Sequence, residues 1–155
     1  MPVPIPEQIN AYETTPARIG AAIEGLSETQ MLHSPKHGEW SIHEIILHLP
    51  DSEIFAYERI RRTIAEEKPL LQVYPEEMWA QRLFYQKQDY HLALKLFTLQ
   101  RRTTAALLRM LPPEVWKRTG VHPENGEMDL YALFILYLNH GNGHLSQIEH
   151  MKQYL

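Results

Sequence analysis

The chain has 155 residues, 44% of them hydrophobic and 22% charged, so it is long enough to form one domain with its own core. Its formal net charge of −4 excludes a global basic field that would attract nucleic acid or an anionic membrane. It has no cysteine, which excludes disulfides, thiolate nucleophiles and Cys-type zinc sites, so any metal site must be built from its nine histidines and its carboxylates.

Neither a membrane span nor a secretory signal is visible in the sequence. No segment approaches the roughly 18 apolar residues that a span requires. The first residues, MPVPIPEQINAY, lack both the basic start and the apolar core of a secretory signal. We therefore expect a single domain over residues 1–155 and a cytoplasmic location.

Four long segments show helical periodicity. The first helix is expected at about residues 6–26, with Pro16 inside it. The second is expected at about 41–66 and has the clearest start signal, because Ser41 and Glu44 form a capping box. The residues on its predicted inward face are Ile42, Ile45, Leu49, Ser52, Ala56 and Ile60.

The second half of the chain predicts two more helices. Residues 67–88 contain Pro69 and Pro75 and predict a connector with a short helix at about 76–83. The third long helix is expected at about 89–111, and its predicted inward face consists of Leu92, Leu96, Leu99, Thr103, Ala106 and Met110. The segment RTGVHPENGEMDL predicts a loop without strands, followed by a fourth helix at about 128–154. Four amphipathic helices predict an all-α four-helix bundle with long connectors.

The fourth helix places two histidines and a glycine on or beside its apolar seam. This seam consists of Leu130, Phe134, Tyr137, Gly141, His144, Ile148, Met151 and Leu155, at the alternating spacing of a bundle core. His144 is thus a core position, and His140 lies one turn away on the same side. The two glycines each cost the helix roughly 1 kcal/mol relative to alanine. The missing side chain of Gly141 predicts a cavity beside two imidazoles.

A third histidine is needed, because zinc takes three or four protein ligands. His48 lies at the flank of the buried face of the second helix and is the best candidate on geometry. Surface or capping positions are predicted for the remaining histidines, with His43 pointing outward: His33, His37, His43, His91, His122 and His150. The alternative is an ordinary helical domain in which the inward histidines are only hydrogen-bonded.

Two residues next to His48 bear on the site. Pro50 removes a helical hydrogen bond to the carbonyl of Ile46 and predicts a kink there. Asp51, one turn from His48, is the candidate catalytic residue, which would hold a metal-bound water or orient an imidazole. A solvated acid in mid-helix is an equally open reading of Asp51. Glu53 lies near the inward face and is a weaker candidate.

The stretch GEWSIHEIILHLPDSE, followed far downstream by NHGNGHLSQI, resembles the DinB/YfiT-like family of metal-dependent proteins. The resemblance covers essentially the whole chain, including AYERIR and WKRTGVHPENGEMDLYALFILYLNH. It implies a four-helix bundle, usually dimeric, that binds a divalent metal, zinc or nickel in many members, through three histidines. By motif these are His48, His140 and His144. Pro50 stands where family members commonly have alanine.

The resemblance gives the metal site more firmly than the reaction. Members with known activity are mainly thiol transferases that use bacillithiol or mycothiol, with related isomerases. The leading prediction is a metal-dependent transferase, with zinc favoured over nickel, that activates a bacillithiol-like small-molecule thiol for attack on an electrophile. The alternatives are a hydrolase that uses a metal-bound hydroxide and a non-enzymatic, stress-inducible metal-binding protein. The expected partners are a small-molecule substrate and a second copy of the chain, without nucleic acid or membrane.

Overall fold

The computed structural model describes residues 2–155 and shows six α-helices in that range. Four long helices form the bundle: α1 (Pro6–Ala22), α3 (Ile42–Ala65), α5 (Tyr90–Leu108) and α6 (Leu130–Lys152). Two short helices, α2 (Glu28–Leu32) and α4 (Glu76–Arg82), lie in the connectors with 3₁₀ turns at Tyr85–Lys87 and Pro113–Lys117. Helices α1 and α3 each pack against both α5 and α6, so they occupy opposite corners. The all-α four-helix bundle is confirmed. Within residues 2–155, no helix has the length and apolarity needed to cross a membrane.

Helix α3 begins where the capping box predicts. The Ser41 hydroxyl accepts a hydrogen bond from the backbone N–H of Glu44 (3.2 Å), and the Glu44 carboxylate accepts one from the backbone N–H of Ser41 (3.3 Å). The helix continues unbroken past Pro50. All six residues of its predicted inward face are buried: Ile42, Ile45, Leu49, Ser52, Ala56 and Ile60.

The first connector differs from the prediction of one helix over 6–26. Helix α1 ends at Ala22, and Gly25 adopts a φ of +80°, a left-handed conformation that ends a helix and that glycine tolerates best. Ser27 then starts α2, because its side chain accepts from the backbone N–H of Gln30 (3.2 Å). Pro16 lies buried inside α1 without ending it.

A β-hairpin precedes α6, so the prediction of a loop without strands is wrong. Strand β1 (Thr119–His122) pairs antiparallel with β2 (Gly126–Asp129), with Thr119 opposite Asp129. Three residues, 123–125, connect the two strands, and Gly126 follows them with a φ of +71°. Three-residue hairpin turns usually require a left-handed backbone conformation at this position, which glycine adopts easily. Strands of four residues are too short to produce a visible alternation of apolar side chains. Asp129 then caps α6 by accepting from the backbone N–H of Ala132 (2.7 Å).

The predicted inward face of α5 is wrong. Its four large side chains Leu92, Leu96, Leu99 and Met110 are 63%, 47%, 60% and 74% exposed. The buried face consists instead of Ala93, Phe97, Gln100, Arg101, Thr104, Ala105 and Leu108. Because this face carries polar groups that find partners inside the bundle, the apolar stripe is left on the outside.

Arg101 and Glu53 form a buried ion pair that ties the four long helices together. Arg101 is 0% and Glu53 1% exposed, and the Nε–Oε2 distance is 3.1 Å. The guanidinium also donates to the backbone carbonyls of Tyr12 in α1 (3.2 Å) and Tyr137 in α6 (2.8 Å). Its carbon lies over the rings of Tyr12 and Phe97, at 4.2 and 4.7 Å from their centroids. A charge this deeply buried requires this full set of partners.

The predicted cavity at Gly141 is filled by Arg101. A Cβ at position 141 would lie 2.8 Å from Nη1 and 2.9 Å from Nη2 of Arg101. The glycine therefore admits the guanidinium to the interior rather than opening space beside the histidines. The apolar part of the α6 seam is buried as predicted from Leu130 to Met151, whereas Leu155, beyond the helix, is 39% exposed. A Cβ at Gly143 would meet no atom within 4 Å.

Candidate metal centre

Helices α3 and α6 bring three histidine ring nitrogens together. The Nε2 atom of His140 lies 3.1 Å from Nε2 of His48 and 3.1 Å from Nε2 of His144. Within residues 2–155, these three side chains form the one cluster of candidate ligands whose donor atoms all lie within 4.8 Å of each other. The structure thus assembles the residues that the sequence indicates as metal ligands, although His48 lies on a different helix from the other two.

The three histidines are neutral at neutral pH. Burial, reinforced by the neighbouring imidazoles, lowers the pKa of His48 from 6.5 to about 2. Burial likewise lowers the pKa of His140 to about 3, with smaller contributions from His144 and from the charge of Arg101. Burial also lowers the pKa of His144. A neutral imidazole has the free lone pair that binds a metal.

The hydrogen bonds on the far side of the rings direct these lone pairs towards one point. His144 Nδ1 donates to the side-chain carbonyl of Gln147 (2.9 Å), which leaves its Nε2 without a proton. His48 Nδ1 lies 3.0 Å from the Tyr74 hydroxyl. When the proton of the His48 ring is on Nδ1, Nε2 of His48 is also without a proton. His140 Nε2 can donate to one of these two nitrogens but not to both. A cation shared by all three nitrogens removes this conflict.

The spacing of the nitrogens also suits a metal ion. Two donor atoms on one zinc ion lie roughly 3.3 Å apart when each bond is about 2.0–2.1 Å long and the angles are tetrahedral. The two measured Nε2–Nε2 distances of 3.1 Å are close to this value. Three protein ligands leave a coordination position for a substrate, as catalytic zinc sites do.

Aromatic side chains surround His48. Tyr74 stacks on the imidazole with a centroid distance of 5.7 Å and an interplanar angle of 11°. The ring centroid of Trp40, just before the N-cap of α3, lies 4.8 Å from that of His48. Phe55 in turn stacks on Tyr74 at 4.6 Å. These contacts hold the His48 ring in place and account for its exposure of 1%.

Asp51 faces a tyrosine rather than a histidine. Its carboxylate accepts a hydrogen bond from the Tyr85 hydroxyl (2.5 Å). Burial raises the pKa of Asp51. The catalytic role of Asp51 stays a prediction.

The ligand cluster borders a large open cavity of about 930 Å³. His140 and His144 lie in its wall, so a molecule in the cavity has access to the metal position. The rest of the wall combines apolar and charged side chains, including Trp40, Met151, Tyr154, Lys36, Glu39, Glu76 and Glu77. A concave space of this size and mixed lining is typical of a small-molecule site.

Two of the remaining histidines are buried: the outward, solvated position predicted for His43 is wrong, whereas His122 has the predicted capping role, because its Nδ1 accepts from the backbone N–H groups of Glu124 (3.2 Å) and Asn125 (3.3 Å). His43 is 8% exposed, and its Nε2 lies 3.0 Å from the backbone carbonyl oxygen of Tyr85. His122 is 6% exposed, and its Nε2 lies 3.0 Å from Nη1 of Arg59. Both belong to the hydrogen-bonded interior rather than to the solvated surface. The exposed positions predicted for the others are confirmed for His33, His37, His91 and His150. Glu53 serves the ion pair with Arg101 and not the metal centre.

Sequence reasoning misses Tyr74 and Glu76. Both come from the connector after α3, where the chain has no helical periodicity that would show which side chains face the site. Glu76 Oε2 lies 3.9 Å from Nε2 of His48. The one signal in the sequence is the predicted short helix α4, which begins at Glu76.

Comparison with known proteins places the chain in a family. Residues 11–148 match the sequence model of the DinB superfamily. A protein of Oceanobacillus iheyensis, named "Putative metal-dependent hydrolase", is 33% identical over 144 residues, which are 93% of this chain and 83% of that protein. YfiT of Bacillus subtilis, which carries the same description, is 27% identical over 146 residues, 94% of this chain and 82% of YfiT.

Solved structures agree with this placement. The structure of YfiT, described as a probable metal-dependent hydrolase with an unusual four-helix bundle topology, matches with a TM-score of 0.90 at 26% identity, over 96% of this chain and 85% of YfiT. A mycothiol-dependent maleylpyruvate isomerase matches with a TM-score of 0.73 over 96% of this chain and 63% of its own. At 11% identity the latter shows a shared fold alone. From the family match and these relatives together, the chain belongs to the DinB superfamily.

Proposed function

We propose that this protein is a metal-dependent enzyme in which His48, His140 and His144 hold a divalent cation, zinc in preference to nickel. The observation that carries the proposal is the convergence of three neutral ring nitrogens, one from the buried His48 and two from the half-buried His140 and His144, beside a cavity of about 930 Å³. Two relatives support the proposal, because the proteins of Oceanobacillus iheyensis and Bacillus subtilis are both named "Putative metal-dependent hydrolase".

The nucleophile that we propose is a small-molecule thiol of the bacillithiol type. A divalent cation supplies charge that lowers the pKa of a coordinated thiol or water. The chain has no cysteine, so a thiolate must come from a second molecule. The cavity is at the upper end of the range of roughly 300–1,000 Å³ for ligand sites, which leaves room for a thiol beside an electrophile.

Hydrolysis is the second candidate, and the descriptions of the two relatives favour it. It uses the same three histidines and the same cavity, with water in place of the thiol. A non-enzymatic, stress-inducible metal-binding protein would need a site closed to solvent. The open cavity beside His140 and His144 favours an enzyme over that alternative.

The test measures metal content and reaction products together. The zinc-loaded protein is incubated with a low-molecular-weight thiol and an electrophile that carries both a displaceable group and an ester, and the products are separated by mass spectrometry. We expect the thiol conjugate with wild type and with His37→Ala, which removes an exposed histidine that does not line this cavity. His140→Ala should lose both metal and product. Hydrolysis product without conjugate would select the hydrolase, and metal content unchanged in His140→Ala would refute the metal centre.

We also propose that two copies of the chain associate through the exposed seam of α5 and the residue just beyond its end, defined by Leu92, Leu96, Leu99, Thr103, Ala106 and Met110. Its spacing of three and four residues along an exposed helix is that of a helix–helix contact. Lys95 and Arg102 flank the seam and would bring like charges together, so association should strengthen with salt. Sedimentation should show a dimer for wild type and for Gln153→Glu, and a monomer for Leu96→Glu. A monomeric wild type refutes the proposal.

A further inference from the structure

Glu76 points a carboxylate at the metal-facing side of His48. Its Oε2 atom lies 3.9 Å from Nε2 of His48, the nitrogen that also faces His140 at 3.1 Å. Glu76 lines the same cavity as His140 and His144. Within residues 2–155 its side chain makes no hydrogen bond, and it is 52% exposed. The carboxylate lies outside the cluster whose donor atoms are all within 4.8 Å of one another, so it must move towards the histidines to reach a ligand position.

The contact between Glu76 and His48 is not an ordinary ion pair. His48 is 1% exposed, and its Nε2 atom faces a second imidazole nitrogen, Nε2 of His140, at 3.1 Å. Two electron-rich atoms, a carboxylate oxygen and an imidazole nitrogen, therefore face each other. A cation at the histidine cluster would turn this unfavourable arrangement into an attractive one.

We propose that the Glu76 carboxylate is a fourth, displaceable protein donor to the cation held by His48, His140 and His144. The inference rests on the proposed metal centre and adds a residue to it. Carboxylate oxygens bind zinc at about 2.0–2.2 Å, and sites with histidine and glutamate ligands are common among zinc enzymes. Because Glu76 lies on the two-turn helix α4 in a connector, and not on the bundle, it can leave the cation when a substrate enters from the cavity.

Metal affinity and the Co²⁺ spectrum test this proposal without an activity assay. Zinc dissociation constants are measured by competition with a chromophoric chelator for wild type, Glu76→Gln, Glu76→Asp and Glu77→Gln. Glu77 is the matched control, because it is the next residue on α4 and lines the same cavity without contacting His48. The visible absorption of the Co²⁺-loaded proteins reports the donor set directly.

We expect Glu76→Gln to weaken zinc binding by about 10-fold and to change the Co²⁺ absorption bands, whereas Glu77→Gln matches wild type. Glu76→Asp should fall between them, because it keeps the carboxylate on a shorter stem. Equal affinities and equal spectra for Glu76→Gln and Glu77→Gln overturn the inference while the metal centre stands. If wild type binds no zinc, or His140→Ala binds it equally well, the metal centre itself fails and the inference fails with it.

Discussion

Alanine at Gly141 and at Gly143 should change stability in opposite directions. The two glycines lie on the same helix, two residues apart, and both lack the left-handed backbone that would exclude alanine. They differ in what an added methyl group would meet. At position 141 the Cβ would lie 2.8 Å from Arg101 Nη1, whereas at position 143 nothing lies within 4 Å.

The expected magnitudes come from two opposing contributions. Replacing an exposed helical glycine by alanine stabilises a helix by about 0.5–1 kcal/mol, and this is the whole effect expected for Gly143→Ala. Gly141→Ala has the same gain but must displace a guanidinium that is 0% exposed and held by Glu53, Tyr12 and Tyr137. Overpacking a core costs about 1–3 kcal/mol, and a weakened buried ion pair adds to that. The net loss for Gly141→Ala is therefore about 0–2.5 kcal/mol from overpacking less the helix gain, and the weakened ion pair increases it.

Equilibrium urea unfolding of the metal-free protein measures both changes, with no contribution from metal binding. We expect a lower midpoint for Gly141→Ala and a higher one for Gly143→Ala, at an unchanged slope. In thermal unfolding a change of about 1 kcal/mol corresponds to a shift of about 2–4 °C for a chain of this size. If Gly141→Ala were as stable as Gly143→Ala, the assignment of Gly141 to the accommodation of Arg101 would be wrong.

Three further predictions concern the polar interior. The pKa values of His48 and His140 in the folded protein lie below their unfolded value of 6.5. At a pH below 6.5 the unfolded chain therefore binds more protons than the folded protein, so the unfolding free energy of the metal-free protein should fall as the pH drops from 6.5 towards 3. The unfolding free energy should change by at most about 1.4 kcal/mol per pH unit for each histidine. Urea unfolding of the double variant His48→Ala/His140→Ala should show a weaker dependence on pH. Tyr74→Phe removes the hydroxyl from His48 Nδ1 and should weaken zinc binding about 10-fold in chelator competition. Because it leaves this buried nitrogen without its partner, it should also lower the thermal stability of the metal-free protein, by about 1–3 kcal/mol. Arg101→Met leaves Glu53 buried and unpaired and should cost about 3–5 kcal/mol in urea unfolding, and a loss below about 1 kcal/mol would contradict the role of the ion pair.

The parts of the fold that the sequence predicts well are those with a local chemical signal. The start of α3 follows from the Ser41–Glu44 capping box, and the inward face of α6 follows from the regular three- and four-residue spacing of its apolar residues. Both elements carry the metal-site histidines. Because the predicted faces of these two helices are correct, the sequence alone selects His48, His140 and His144 from nine histidines.

The face of α5 could not be predicted in this way. Periodicity finds an apolar stripe but assumes that the most apolar face is the buried one. In α5 the buried face contains Gln100, Arg101 and Thr104, because a carboxylate on α3 and backbone carbonyls on α1 and α6 provide partners for Arg101. Those partners lie 36 to 89 residues away in the chain, so no local pattern on α5 reveals them.

The His-Gly-Asn-Gly-His segment joins the metal centre to the ion pair that holds the bundle. His140 is a candidate ligand, and the next residue, Gly141, admits the Arg101 guanidinium that neutralises Glu53. The same guanidinium helps to lower the pKa of His140, so it favours the neutral form that a metal requires. A larger residue at position 141 would thus disturb the stability of the bundle and the protonation of a ligand together. This double constraint explains why a glycine is found there, in the middle of a helix that would otherwise be more stable with alanine.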